Sequence, residues 1–390
     1  NKYLGILVAA LIAALVIFST RLGIEHYLLR FASVPELFYT AMNGIGRNKG
    51  SFNWYMLYWS GFAVVLSVIS IGLWQNTRSS GFKQRLLQWK KQVDVRTIPF
   101  LFAGLIIWAL SGGWIYHQSN DIGNYKSRKD YRQWQINYEK KYKSKASSVR
   151  PVITSVKTDI DLYPAEQRYN VKGVYQVKNE SDSSIRSVWL GTDPSVTSAI
   201  ISIPGATLTE HDRSFGQYEY SLMKPLQPGD TITIFFSLNI VRSGFTSFDA
   251  ENNVADNGTY IELEKFLPYF GYNDRFESDD KMLRRKNDLP ELSIGLPADT
   301  LYHLVNYETT ISTSKDQEAI SVGSLDKKWT ENNRNYFHYR SSQPIPFMFA
   351  LSSARYWVKT EVYDSVLLQL YYHPGHEANT LAMLQGMKDA

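Results

Sequence analysis

The sequence predicts a membrane α-helical segment followed by a mainly β domain, built as a sandwich or as stacked antiparallel sheets. Three observations predict it. Three long apolar, charge-free runs crowd residues 1–116 of the 390. From residue 151 onward, short β-branched and aromatic runs alternate with turn signals. The chain has no Cys, which excludes a disulfide-stapled scaffold and thiolate metal sites. The net charge of +5 gathers near the apolar runs, which suits lipid phosphates. No zinc-finger or Walker pattern is present and the tyrosines are dispersed, so no nucleic acid partner is expected.

The first run is 3–20 (YLGILVAALIAALVIFST), the second 52–74 and the third 99–116. A bilayer core needs about 20 mostly apolar helical residues. Aromatics mark the edges: Trp54, Tyr55, Tyr58, Trp59 and Trp74 on the second run, Trp114 and Tyr116 on the third. These fit the headgroup belt. The runs carry Ser60, Ser67, Ser70 and Ser111 but no Asp, Glu, Lys, Arg or His, so they show no transport chemistry. The loop 75–98 holds Arg78, Lys83, Arg85, Lys90, Lys91 and Arg96 against Asp94. That excess predicts a cytoplasmic loop, and puts the β domain on the extracytoplasmic side of an inner (plasma) membrane. Arg21, Arg30, Arg47 and Lys49 on the outer loop weigh against it.

Residues 117–150 read as a helical stalk. Tyr131, Trp134, Tyr138 and Tyr142 recur at spacings of three and four, on one helical face. That face either packs on the following domain or binds a partner. Pro151 ends it. The β-rich domain spans 151–373. YNVKGVYQV (169–177) alternates apolar and polar residues, and TITIFFSLNIV (231–241) follows the turn Pro228-Gly229-Asp230. Further strand runs are 185–191, 259–267, 336–340, 347–359 and 365–373. Residues 374–390 begin a helix.

Few residues look chemical. His373, His376 and Glu377 (HPGHE) suggest metal ligands, but Pro374-Gly375 breaks the helix that an H-E-x-x-H site needs. A strand-to-helix turn is expected there. Asp249, Glu251, Asn253 and Asp256 are off calcium-loop spacing. Ser352, Ser353 and His338 form no readable triad, and no G-x-S-x-G elbow exists. Two N-x-[ST] sequons, at Asn179 and Asn257, are assigned no role.

Four segments, in order, resemble the N-terminal β domain of the aminopeptidase N family of zinc metallopeptidases. They are DIDLYPAEQRYNVKGVYQVKNES (159–181), LMKPLQPGDTITIFFSLNI (222–240), WTENNRNYFHYRSSQPIPFMFALSSARYWV (329–358) and YYHPGHEANTLAMLQGMKDA (371–390). The last looks like a crossover into a catalytic domain's first helix. PELFYTAMNGIG (35–46) and the step from the third run into the Tyr/Lys-rich stalk resemble bacterial ABC-transporter permeases fused to such an exodomain.

The resemblance implies a parent that cleaves N-terminal residues from peptides with a zinc-bound water. It also implies further chain at both ends and an ATP-binding transporter subunit as partner. This chain would supply the bilayer anchor and the non-catalytic wall of the cleft. The zinc ligands and general base would lie downstream, so no cofactor and no catalytic residue is expected here. In the family a β-domain residue helps hold the substrate's amino group. The candidates are Glu262 and Glu264, which strand alternation would put on one face. A carboxylate suits an ammonium through charge-assisted hydrogen bonds. The rival reading is a transporter component whose β exodomain binds a substrate or partner without peptidase activity. A third is a ligand-free structural tether.

Overall fold

The computed structural model describes residues 2–37, 39–46, 48–73, 95–242, 244–245, 254–292 and 303–390. The basic residues Arg78, Lys83, Arg85, Lys90 and Lys91, with Asp94, lie outside the described residues, as do Trp74, Arg47, Asp249, Glu251 and Asn253. The chain divides into two compact units. One comprises Asn1–Tyr39, Ile45–Lys129 and Gly244–Ala250; the other comprises Thr40–Gly44, Asp130–Ser243 and Glu251–Ala390.

The first unit holds three apolar helices: α1 (Lys2–Ile17), α2 (Asn48–Leu73) and α3 (Ile98–Tyr116). Two of the three expected spans meet the length requirement. Among the described residues, Lys49–Gly72 and Ile98–Ile122 are long and apolar enough to cross a membrane. Helix α1, from Lys2 to Ile17, is a shorter apolar helix of 16 residues. Most of the apolar surface of α3 is unburied; Leu110 is 70% exposed.

Glycine lets α2 and α3 approach closely. A Cβ on Gly61 would sit 2.9 Å from the Trp108 amide nitrogen, and one on Gly104 would sit 3.1 Å from the Gly61 oxygen. Small residues at such contacts are how apolar helices pack without a hydrophobic drive between them. Gly104→Leu is expected to cost about 1–3 kcal/mol by overpacking. Gly113, with nothing within 4 Å of a Cβ, is the matched control. Thermal unfolding in detergent checks both; equal melting temperatures would contradict the packing.

Beyond α3 a π-helical turn spans His117–Ile122. His26 anchors the first loop to it. Its Nε2 faces Asn120 Oδ1 at 3.1 Å, and its Nδ1 accepts from the Leu28 amide at 3.2 Å. Burial holds the His26 imidazole below its usual pKa.

The second unit opens with α4 (Arg128–Tyr142), whose first two residues belong to the other unit. Strands follow: β1 (Val152–Tyr163), β2 (Arg168–Lys178), β3 (Ile185–Gly191), β4 (Ser198–Ser202), β5 (Ala206–Asp212), β6 (Gln217–Leu226), β7 (Thr231–Val241), β8 (Thr259–Glu262) and β9 (Tyr269–Phe270). After the short helix α5 (Lys281–Lys286) come β10 (Leu304–Ser314), β11 (Glu318–Ser321), β12 (Ser324–Glu331), β13 (Arg334–Arg340), β14 (Ile345–Pro346), β15 (Ala350–Ala354), β16 (Trp357–Tyr363) and β17 (Val366–Tyr372). Helix α6 (Thr380–Asp389) follows.

The largest sheet runs β12-β13-β10-β1-β2-β7-β4, with β14 beside β10. Its centre, β1 with β10, is parallel; its other pairs are antiparallel. A four-stranded sheet, β5-β6-β3-β9, and a three-stranded one, β11-β15-β8, complete the core, and β16-β17 forms a separate ribbon. One apolar cluster joins the first three: Val156, Ile160, Val171 and Ile234 with Val188, Leu190, Ile261 and Leu351, all at most 1% exposed. The unit is therefore mostly β, with stacked sheets.

The alternation read at 169–177 holds. Tyr169, Val171, Tyr175 and Val177 are buried, while Lys172 and Gln176 face solvent. Gly173 sits beneath the Phe236 ring, where any Cβ would fall 2.1 Å from it. The run 347–359 does not form one strand. It breaks between β15 and β16 where the Arg355 amide turns to Asn257 Oδ1 at 2.7 Å.

The aromatic face of α4 packs on its own unit. Tyr138 and Tyr142 are buried with Tyr272 and Phe276, and Trp134 packs against them; Tyr131 stays 46% exposed. Beneath lies a buried ion cluster. Arg284 forks onto Glu139 at 2.7 and 2.9 Å and lies 3.6 Å from Glu277. Glu277 also pairs with Lys143. The stalk lysines are thus spent on carboxylates of the domain: Lys141 on Asp212, Lys145 on Glu219.

Candidate functional site

Glu262 and Glu264 sit where β8 ends. Strand alternation does not relate them. Glu262 is the last residue of β8, and Leu263–Lys265 is a 3-10 turn. Leu263, Phe266 and Leu267 are all buried, a spacing of three and four that closes a helical turn rather than extending a strand. The Leu263 amide donates to the Phe349 oxygen at 2.7 Å, which ties the turn to the segment before β15.

The two carboxylates have different surroundings. Glu262 is half-buried and pairs with Lys265. Glu264 Oε2 accepts from the Phe349 amide at 3.0 Å. Burial pushes the Glu264 carboxyl above its usual range, and the nearby Glu262 adds to this against its own amide, the Phe349 amide and Lys265. Phe349 stacks on Tyr307 with centroids 4.2 Å apart, and the Tyr307 hydroxyl lies 3.4 Å from Ser321 Oγ. The corner therefore holds two neighbouring acid groups, one of them fixed by the Phe349 amide. It suits a cation. An incoming ammonium would compete with Lys265 for Glu262.

The other singled-out residues are occupied elsewhere. His373 caps the turn Pro374–Asn379, its Nδ1 accepting from the Gly375 amide at 3.0 Å. His373 and His376 rings are 5.5 Å apart. Among the described residues no group of three His, Cys, Asp or Glu could hold a metal, so no step through zinc is derived from this chain's residues. Asp256 pairs with Arg355 at 3.2 Å. Ser353 bonds Thr313 and Gln317 in the core, Ser352 bonds Tyr356, and His338 bonds Thr310 on the large sheet; no triad forms. Asn179 and Asn257, the sequon residues, are buried and hydrogen-bonded, which leaves neither amide open to modification.

Sequence reasoning missed the Glu139–Arg284–Glu277–Lys143 cluster. The available signal was the KKYKSK run (140–145) set against the acids Asp274, Glu277, Asp279 and Asp280. It named Asn257 only as a sequon residue and missed that its side chain joins Met42 and Arg355.

No family profile matches the chain, and no curated protein matches it. Solved structures do. A zinc metallopeptidase of the M1 class from Deinococcus radiodurans is 12% identical with a TM-score of 0.36, over 57% of this chain and 46% of that one. A mutant of that protein is 14% identical with a TM-score of 0.39, over 60% and 52%. A mutant bound to a Tyr-Ser-Ala substrate is 14% identical with a TM-score of 0.38, over 60% and 52%. This chain spans about half the length of these structures, at 46–52%.

Proposed function

We propose that this chain is the anchor and non-catalytic β part of a permease–aminopeptidase fusion in a bacterial plasma membrane. The β domain lies on the extracytoplasmic side. The parent carries zinc in a catalytic domain beyond Ala390 and releases N-terminal residues from peptides. All three apolar runs enter the bilayer, α1 included. An ATP-binding transporter subunit partners the membrane part.

The observation that carries this reading is the order of the four resembling segments. In this fold they fall on β1–β2, on β6 and β7 with the turn that carries the chain from one sheet to the other, on the path from β12 to β16, and on β17 with α6. Each lands on regular structure in the same succession, beside two helices of spanning length. Glu262 and Glu264 supply the negative charge that faces the substrate ammonium.

The full-length protein in membranes tests it. Stoichiometric zinc with chelator-sensitive release of N-terminal residues is expected. Zinc-free, inactive protein would pass the weight to the rival, a transporter exodomain that binds without cleaving. With activity in hand, the Glu262→Ala and Glu264→Ala double variant is expected to raise KM for aminoacyl substrates about tenfold or more, since hydrogen bonds to charged groups contribute about 1.5–3 kcal/mol each. An unchanged KM removes both residues from the site.

A further inference from the structure

The segment PELFYTAMNGIG, between α1 and α2 in sequence, contains a closed turn. The Thr40 amide donates to the Gly44 oxygen and the Gly44 amide donates to the Thr40 oxygen, both at 2.8 Å. The Asn43 amide donates to Thr40 Oγ1 at 3.1 Å. Gly44, at φ +59°, makes the reversal possible. Although apolar helices flank it in sequence, Thr40–Gly44 belongs to the β unit.

There it meets the approach to β8. Asn257 is 7% exposed, and its Nδ2 donates to the Met42 oxygen. Its Oδ1 accepts from the Arg355 amide at the end of β15. Gly258, at φ +95°, lies against Met42: a Cβ there would be 3.1 Å from the Met42 Cβ. The Asn257 neighbours are held as well. Gln317 Nε2 donates to the Asp256 oxygen at 2.6 Å, and Thr259 Oγ1 donates to the Ala255 oxygen at 3.0 Å. Strand β8 begins at Thr259 and ends at Glu262. So a buried amide with a donor for one chain segment and an acceptor for another fixes where this strand starts.

We propose that the turn Thr40–Gly44 is a strap on β8, and that Asn257 is a positioning residue which sets Glu262 and Glu264 through it. Residues written between two apolar helices thereby control the acid corner of the β domain. The positioning role rests on the function proposed above; the strap itself does not.

The discriminating variant is Asn257→Asp in the full-length membrane protein. It keeps an acceptor for the Arg355 amide but turns a carboxylate oxygen toward the Met42 carbonyl. Hydrogen exchange read by mass spectrometry should quicken at least tenfold in 40–44 and in 255–262, while β2 and β7 stay protected. Gly44→Ala, which strains the turn itself and has nothing within 4 Å, should give the same pattern more weakly. KM for aminoacyl substrates should rise in both variants with kcat kept. Unchanged exchange at 40–44, or a rise spread evenly over the domain, overturns the strap. Local quickening with unchanged KM in an active enzyme overturns the positioning role. Wild-type protein lacking zinc and activity would instead overturn the functional reading, and the exchange result would still decide the strap.

Discussion

Arg284→Met should destabilise the β unit by about 3–5 kcal/mol, the cost of leaving a buried charge without its partner. Arg284 is 3% exposed and Glu139 is 1% exposed, so neither can recruit water. The guanidinium also donates to the Ser278 oxygen and twice to the Pro290 oxygen, which would lose their donors. Glu139 would be stranded in the seam between α4 and the segment 272–290. Glu277 would keep Lys143. Adding Glu139→Met should recover part of the loss, because an apolar pair is tolerated where a lone carboxylate is not. Chemical denaturation of the detergent-solubilised protein, followed by near-ultraviolet circular dichroism of the buried aromatics, reads the cycle. If the single variant lost less than about 1 kcal/mol, the pair would be behaving as a surface bridge.

Tyr138→Ala should cost about 3–5 kcal/mol, as large aromatic deletions in cores do. Tyr138 is fully buried and lies between Trp134 and Tyr272, with centroids at 5.5 and 5.2 Å. Phe276 meets its edge at 5.5 Å. Its hydroxyl accepts from the Asn273 amide at 2.9 Å. Tyr138→Phe removes the hydroxyl, which also interacts with the Tyr269 hydroxyl, and should cost about 1–3 kcal/mol, the cost of a buried amide left unpaired. The difference between the two variants isolates the ring. Trp134 fluorescence should shift to the red in the alanine variant alone, since the hole opens beside its indole. Equal losses would mean that the hydrogen bond, not the ring, holds the helix.

What the sequence made legible was periodicity. The β2 alternation indicated its buried residues in advance, because a two-residue repeat has only one way to face a core. The α4 stripe likewise named Tyr138 and Tyr142. Misreadings came where short-range pattern met long-range constraint. Glu262 and Glu264 looked like strand neighbours because TYIELEKFL alternates, yet the Leu263 bond to Phe349 and the buried triple Leu263, Phe266 and Leu267 turn the chain after β8. The basic run 140–145 and the acids at 274–280 signal charge pairing but do not single out Arg284. Its partner Glu139 is 145 residues away, and nothing local marks either as buried.

The parallel pairing of β1 with β10 sets the order in which this domain can be born. Thr158 and Thr309 bond at 2.8 Å across 151 residues of chain. While β2 and β7 can pair soon after they emerge, the other edge of β1 must wait for a partner that is not yet made. At about 5–20 residues per second of synthesis that wait is roughly 8–30 s. Through it an apolar strand edge stands open beside a forming sheet, the state in which strands mispair with other chains. Biogenesis of this domain is therefore paced by translation and needs shelter for β1 until its distant neighbour arrives.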